Sequence, residues 1–337
     1  MKAMLLRATK SAEARPLELA ELPVPEPAAN ELRVRVSVCG VCRTDIHVVE
    51  GELPRARLPI VPGHEIVGTI DRLGSDVARL APDLSIGRRV GIAWLRSTCG
   101  TCEFCGEGRT NLCPNARFTG YHEHGGYAEY ALVPAEYAYP IPDVFDDDEA
   151  APLLCAGIIG YRALRLCAVK PGERLGLYGF GASAHIVMQL ARARGCEVYV
   201  CSLRAEHRDL ARELGAAWVG GASETPPREL HASILFAPAG EIVPPALRAL
   251  RSGGTLACAG IHMSPIPEID YDRELFRERT LRSVTANTRQ DGLDLLREAA
   301  AIPIRPRTQR FALTDANDAL ARLKQGRIRG AAVLHTE

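Results

Sequence analysis

The chain carries no net charge: 41 basic residues balance 41 acidic ones over 337 positions. A neutral chain has no general attraction for nucleic acid or an anionic membrane surface, so neither is expected as a partner. It also reads as lacking a long apolar run, with no stretch approaching the ~18 residues of a membrane span. The opening segment, MKAMLLRATKSAEARPLELAELPVPEP, turns polar after six residues. It has no apolar stretch of the roughly 7–15 residues found in a secretory signal. A cytoplasmic setting is therefore expected. Internal repeats and low-complexity linkers are missing too. Lysine is scarce, and the basic residues are almost all arginine, spread along the chain; no functional account of that bias follows.

What is present supports two domains of ordinary size: 337 residues, 47% of them hydrophobic, can bury two cores. Eleven cysteines in a reducing compartment point to metal or catalysis rather than to a disulfide framework. The first 150 or so residues hold short β-branched runs, ELRVRVSVC, HEIVGTIDRLG, RRVGIAW and GYAEYALVP. Gly, Pro and Asp turns break them up, which reads as an irregular antiparallel β region. From about Gly157 strands and helices alternate: RLGLYGFG, ASAHIVMQLARARG, CEVYVCS, AEHRDLARELGA, ASILFAP, IVPPALRALRSGG and TLACAGI. That rhythm predicts a parallel sheet with helices on both faces. DGLDLLREAAA and TDANDALARLKQG read as amphipathic helices opened by Asp or Thr, and GAAVLHT as a last strand. These closing segments are expected to return to the first domain. The division is residues 1–156 with 287–337, and 157–286.

YGFGASA sets Gly179, Gly181 and Ala184 in the spacing G-x-G-x-x-A, after a predicted strand and at the start of a predicted helix. In that context the first glycine permits the tight turn and the second lets a pyrophosphate approach the backbone. The third small residue lets helix and sheet pack closely. The cofactor would then meet Gly179, Phe180, Gly181, Ala182 and Ala184, at a helix end that offers free N–H groups. The alternative is a glycine turn in a ligand-free α/β domain. At the end of the second strand, VYVCSLRAEHR places Ser202 where an NAD-binding acid is expected, with Arg204 two residues on and Arg208 beyond. A hydroxyl and a guanidinium without a carboxylate suit a 2′-phosphate, so NADP is expected over NAD. The rival reading makes these helix-cap and surface residues.

CGTCEFCGEGRTNLC supplies Cys99, Cys102, Cys105 and Cys113 within fifteen residues. Four thiolates close one tetrahedral ion and leave no open position, which is a structural zinc site. An iron–sulfur run is the rival, since Pro114 follows Cys113, but the last gap is seven residues instead of about three. Three more candidates are scattered: Cys42 in VCGVCRTDIH, His64 in PGHEIVG and Cys155 in APLLCAGIIGY. Cys, His and Cys could give one zinc three ligands and an open fourth position, the ligand logic of a catalytic site. Taken singly, His64 could be a buried structural histidine and Cys155 a small core residue. Spacing alone does not show that they meet.

These motifs, CGVCRTDIH, PGHEIVG, GRRVGIAWL, the four-cysteine lobe, GGYAEY, LLCAGIIGY and GFGASA, stand in one order over nearly the whole chain. In that order the chain resembles the zinc-dependent alcohol dehydrogenases of the medium-chain dehydrogenase/reductase superfamily, and most of all bacterial members carrying GFGASAH. The resemblance implies an α/β protein: an irregular β-rich GroES-like catalytic domain and a Rossmann-type doubly wound parallel sheet. It implies that Cys42, His64 and Cys155 bind catalytic zinc, with Glu65 as an alternative ligand. Asp45 would hold the second ring nitrogen of His64. Thr44 would hydrogen-bond the ionised substrate oxygen, and His47 would pass its proton through the cofactor ribose to solvent. Arg329 would reach the pyrophosphate.

Hydride would pass reversibly between an alcohol, giving an aldehyde or ketone, and the nicotinamide, which is expected along Ala259, Gly260 and Ile261, in a cleft between the domains. The substrate would pass Thr44, Trp94, Tyr121 and His122; Trp94 suggests a narrow pocket and a primary alcohol. The family expectation is two zinc ions per chain, NADP or NAD, and a homodimer or homotetramer. Cys39, Cys167, Cys196, Cys201 and Cys258 are read as core or strand positions, and His185 as packing or surface. His47 could instead be a satisfied surface histidine. The rival functions are a zinc-free quinone or enone reductase of the same superfamily and a non-enzymatic zinc-stabilised binding protein.

Overall fold

The computed structural model describes residues 1–53, 56–222, 224–302 and 304–336. The chain divides into two compact units. One comprises Met1–Cys155, Asn287–Ala300 and Pro306–Glu337; the other comprises Ala156–Ala286 and Ala301–Arg305.

In the first unit the strand Glu31–Val41 is central. Its first half alternates, burying Leu32, Val34, Val36 and Val38, as a strand with one face on a core must. From Val38 to Val41 every residue is buried, so the strand ends inside the protein and delivers Cys42 there. It pairs antiparallel with Glu65–Leu73, Gly40 opposite Glu65, which puts Cys42 and His64 at adjacent strand ends. A Cβ on Gly40 would lie 1.9 Å from Glu65 Oε2; only glycine leaves room for that carboxylate. Seven strands form the sheet, in the order Thr308–Ala312, Ala331–His335, Glu31–Val41, Glu65–Leu73, Arg89–Ile92 and Ala138–Pro140, with Tyr130–Pro134 also on Glu31–Val41. Its pairs are antiparallel except the parallel pair Thr308–Ala312 with Ala331–His335.

The second unit holds six parallel strands in the order Trp218–Gly220, Glu197–Cys201, Arg174–Tyr178, Leu230–Leu235, Leu250–Cys258 and Thr280–Ser283. The first strand in sequence lies in the middle, and the order reverses beside it. Such a switch point at the carboxyl ends of the strands is where open α/β sheets bind ligands.

Several element boundaries move. The helix read in IVPPALRALRSGG is only Val243–Arg248, and RSGG belongs to the strand Leu250–Cys258. That strand ends at Cys258, so Ala259 is already outside it. The register against Leu230–Leu235 shifts between Leu230 and Ala232, the irregularity that lets two glycines sit in the strand. The helix read in DGLDLLREAAA starts two residues earlier, at Arg289. Thr288 opens it, donating through its N–H and its hydroxyl to Asp291 Oδ2. Ala316–Lys324 has Asp315 at its start but no side-chain cap bond.

The helical run Asp147–Cys167 is long and apolar enough to cross a bilayer by length and composition, with a window of mean hydropathy 1.3. This corrects the expectation that no run approaches that length. The protein buries 72% of that window, and three acidic residues, Asp147, Asp148 and Glu149, open it, so its apolar character serves a core. Within it, Pro152 has no N–H for the helical ladder. The chain continues through a π turn, Leu153–Gly157, which carries Cys155, before Ile158–Cys167 resumes as α-helix. Single π turns inside α-helices are rare and recur at functional sites.

Candidate active site

Cys42 caps the helix Arg43–Glu50. Asp45 accepts from the Cys42 N–H at 2.9 Å, and the Thr44 N–H reaches Cys42 Sγ at 3.5 Å. The capping box therefore fixes both the Cys42 thiol and the Asp45 carboxylate. Asp45 is fully buried and accepts three further bonds. His64 Nδ1 lies 3.0 Å from Oδ1, the Gly63 N–H 3.2 Å from Oδ1, and the Tyr127 hydroxyl 3.1 Å from Oδ2. Burial and the Asp45 charge hold the Tyr127 phenol well above its ordinary pKa, so it stays protonated and donates.

Three elements converge on one point: the end of Glu31–Val41 with Cys42, the approach to Glu65–Leu73 with His64, and the π turn with Cys155. The ligand atoms of Cys42, His64 and Cys155 all lie within 4.8 Å of one another, and the two Sγ atoms are 3.7 Å apart. The Cys155 contact, with help from His64, holds the Cys42 thiol well below its ordinary pKa, and the same contact raises Cys155. Burial alone would lower His64, but Asp45 and Cys42 outweigh it and raise it. His64 Nε2 is buried with no hydrogen-bond partner among the described residues. A buried polar atom left bare is costly. A metal held by one thiolate pair and this nitrogen satisfies it, so the residues fit a zinc ion.

Thr44 Oγ1 lies 3.7 Å from Cys42 Sγ, and His47 follows one helical turn on, on the same face. Both are buried, as is Glu65. His47 Nδ1 meets Glu52 Oε2, a partner that sequence reasoning missed. The signal was there. Gly51 ends the helix with φ 76°, and the Glu52 N–H returns to the His47 carbonyl at 2.9 Å, as in a Schellman-type end. Trp94 and His64 meet in a T-shaped pair with centroids 4.8 Å apart, and Phe118 stacks on Trp94 at 4.9 Å. Tyr121 and His122 continue this aromatic wall, Tyr121 lying 5.7 Å from Trp94 and 4.5 Å from His122. Phe118 is the wall residue that sequence reasoning missed. Cys39, the other half of the C-x-x-C pair, is fully buried on its strand, and burial pushes its thiol well up. Cys167, Cys196, Cys201 and Cys258 are buried too, and His185 is a buried helix residue.

The lobe cysteines form a second cluster: Cys99, Cys102, Cys105 and Cys113 offer sulfur atoms within 4.8 Å of one another. N–H groups of Thr101 and Cys102, then the Cys113 thiol, pull Cys99 down to about 5. The Cys105 N–H also pulls on Cys102, but desolvation and the neighbouring sulfurs outweigh it and raise Cys102 to about 11. Such sulfurs, gathered with backbone donors, also fit a zinc ion.

In the second unit, Arg174–Tyr178 runs into Gly179, whose φ of 87° favours glycine, and Gly181 precedes the helix Ala182–Ala193. A Cβ on Gly181 would meet nothing within 4 Å, so that backbone is open to a ligand. Phe180 and Ala184 turn their side chains into the core; Phe180 can offer only its backbone. Ser202 is buried, Arg204 is exposed at the start of Ala205–Glu213, and Arg208 donates to the Ser202 and Leu203 carbonyls at 2.9 and 2.8 Å. Ala259 is buried and Ile261 is 49% exposed beyond the strand end, beside Gly260. Arg329 is exposed after the helix Ala316–Lys324.

A parallel sheet with a glycine turn at its switch point, together with a Cys/His/Cys cluster and a four-cysteine lobe, defines a metal-binding dehydrogenase. Residues 28–143 match the alcohol dehydrogenase GroES-like domain and residues 184–301 the zinc-binding dehydrogenase domain. A probable alcohol dehydrogenase AdhA of Mycobacterium tuberculosis (strain CDC 1551 / Oshkosh) is 51% identical over 335 residues, 99% of this chain and 97% of that protein. An alcohol dehydrogenase of Geobacillus stearothermophilus is 36% identical over 99% of this chain and 98% of its own. The structure of a cinnamyl alcohol dehydrogenase from Sorghum bicolor superimposes with a TM-score of 0.89 at 25% identity, covering 99% of this chain and 97% of that one. The chain belongs to the zinc-binding alcohol dehydrogenases of the medium-chain dehydrogenase/reductase superfamily. It is an NAD(P)-dependent oxidoreductase acting on small-molecule alcohols.

Proposed function

We propose that this alcohol dehydrogenase is zinc-dependent, holds two zinc ions per chain and prefers NADP to NAD. The observation that carries the zinc reading is the bare, buried His64 Nε2 beside the Cys42 and Cys155 thiols. Cys42, His64 and Cys155 would hold the catalytic ion, and Cys99, Cys102, Cys105 and Cys113 the structural one. Zinc bound at the first site supplies Lewis acidity that makes the substrate hydroxyl acidic near neutral pH. The bound nicotinamide supplies the hydride acceptor.

The chain's own residues do the rest. Asp45 fixes the His64 tautomer. Thr44 would orient the substrate oxygen, accepting its proton at Oγ1 as its own hydroxyl proton passes on toward His47. On gaining that proton, His47 would release the one on Nδ1 to Glu52, whose side chain is 39% exposed and in reach of water. Glu65 stands by as an alternative ligand. Trp94, Phe118, Tyr121 and His122 form an apolar wall that excludes water and suits a primary alcohol or aldehyde.

The unit containing Ala156–Ala286 is proposed as the dinucleotide-binding domain and the other as the catalytic domain. Gly179, Gly181, Ala182 and the Phe180 backbone would face the pyrophosphate, with Arg329 as a further contact; Ala259, Gly260 and Ile261 would line the nicotinamide. Ser202 and Arg204, with no acid at that strand end, support NADP. Free thiols at all eleven cysteines suit a cytoplasmic setting. A homodimer or homotetramer belongs to the same proposal. A panel of alcohols and aldehydes, assayed with both cofactors at the nicotinamide absorbance band, tests the reading. Turnover of primary alcohols with a higher kcat/KM for NADP is expected; a clear preference for NAD overturns the cofactor assignment.

A further inference from the structure

Tyr127 is neither a ligand nor part of the substrate wall, yet it is among the largest fully buried side chains of the protein. We propose that Tyr127 is a positioning residue for the catalytic metal centre, its hydroxyl clamping Asp45 so that Asp45 in turn holds His64. The inference rests on the reading of Cys42, His64 and Cys155 as a zinc site.

The clamp is legible in the division of labour on Asp45. Oδ1 serves His64 Nδ1 and the Gly63 N–H, while Oδ2 serves the Cys42 N–H and the Tyr127 hydroxyl. Donors on both oxygens fix the rotation of the carboxylate plane. Of these four donors, three belong to the stretches that carry the ligands themselves, Cys42 and Gly63–His64. Only Tyr127 ties the carboxylate to a separate segment. That segment is itself stitched to the approach to His64. The Tyr127 N–H donates to the Pro62 carbonyl and the Gly126 N–H to the Gly63 carbonyl, both at 3.0 Å. The ring also presses on this backbone: a Cβ on Gly63 would lie 2.4 Å from it. A phenylalanine would fill the same space and leave Oδ2 with one donor. The hydrogen bond to a carboxylate is a strong one, and partners of this kind behind a metal-binding histidine commonly alter metal affinity by about 10–100-fold.

The test titrates zinc-loaded, full-length protein with a chromogenic chelator and follows the two ions separately. A Cys105→Ser variant identifies the lobe's ion. Tyr127→Phe should hold the catalytic ion about tenfold more weakly and the lobe's ion unchanged. Tyr139→Phe removes another buried phenol of the same unit, whose hydroxyl has no partner among the described residues, and should move neither. Catalytic zinc held as tightly by Tyr127→Phe as by the parent overturns the inference, as does equal weakening of both ions. A parent protein that binds one zinc overturns the metal reading itself, and this inference with it.

Discussion

In the proposed function His47 takes part in carrying the substrate proton, and Glu52 meets its Nδ1. Replacing His47 with Gln should lower kcat about 100-fold near neutral pH and leave KM nearly unchanged, since the ring moves a proton and does not bind the carbon skeleton. A kcat that stays within twofold of the parent would remove His47 from the route. Beside this helix Lys324 bonds Glu50 at 2.8 Å, and the charges of Glu50, Glu13 and Glu52 raise its pKa. Among the lobe thiols the ordering is also testable. In zinc-stripped protein at pH 7, iodoacetamide should alkylate Cys99 ahead of Cys102. Cys99 has a depressed pKa of about 5 and Cys102 a raised one of about 11, so Cys99 is mostly thiolate there and Cys102 is not. Peptide mapping that finds the opposite order would contradict the donor arrangement. The residues of this site were legible in the sequence because their types are rare and chemically specific. Glu52 and Phe118 were less so, because a glutamate after a glycine and a lone phenylalanine have many ordinary uses.

At the scale of elements, the lobe from Cys99 to Cys113 contains only short helical turns, Glu103–Gly106 and Thr110–Leu112. So little regular structure has few contacts of its own to hold it together, and the zinc proposed for this lobe would contribute folding energy. Cys105→Ser should therefore lower the melting temperature by about 5 °C or more, taking roughly 2–4 °C per kcal/mol for a unit of this size. An unchanged melting temperature would count against a structural zinc. The strands and helices themselves follow from period and punctuation. Glu31–Val41 alternates over its first half, Gly195 closes the helix at Ala182–Ala193, and Arg174–Tyr178, Glu197–Cys201 and Leu230–Leu235 are short, largely apolar runs. What the sequence hides is geometry made by non-local pairing. The register of Gly40 on Glu65 and the π turn at Cys155 both depend on partners far along the chain or on the loss of a single N–H at Pro152. Neither has a periodic signature.

For the whole molecule, the proposed function joins metal-assisted acid–base chemistry to a Rossmann-type fold, and the cofactor choice belongs to this scale. Arg204→Ala should reduce kcat/KM for NADPH about 10-fold or more, the loss of one hydrogen bond to a charged group, and leave kcat/KM for NADH within about twofold. Equal losses for both would remove Arg204 from the 2′-phosphate. The buried run Asp147–Cys167 shows the limit of composition. By length and composition it would pass for a membrane span, and its packing shows that it serves a core.

In the proposed function Cys42, His64 and Cys155 hold the zinc that turnover needs. Zinc content and alcohol-dependent nicotinamide reduction, measured on the same preparations of parent and Cys42→Ser, test it directly. Two zinc ions and activity are expected in the parent. One zinc ion, retained dinucleotide binding and no turnover are expected in the variant. Full activity in the variant, or in a parent stripped of zinc, would contradict it.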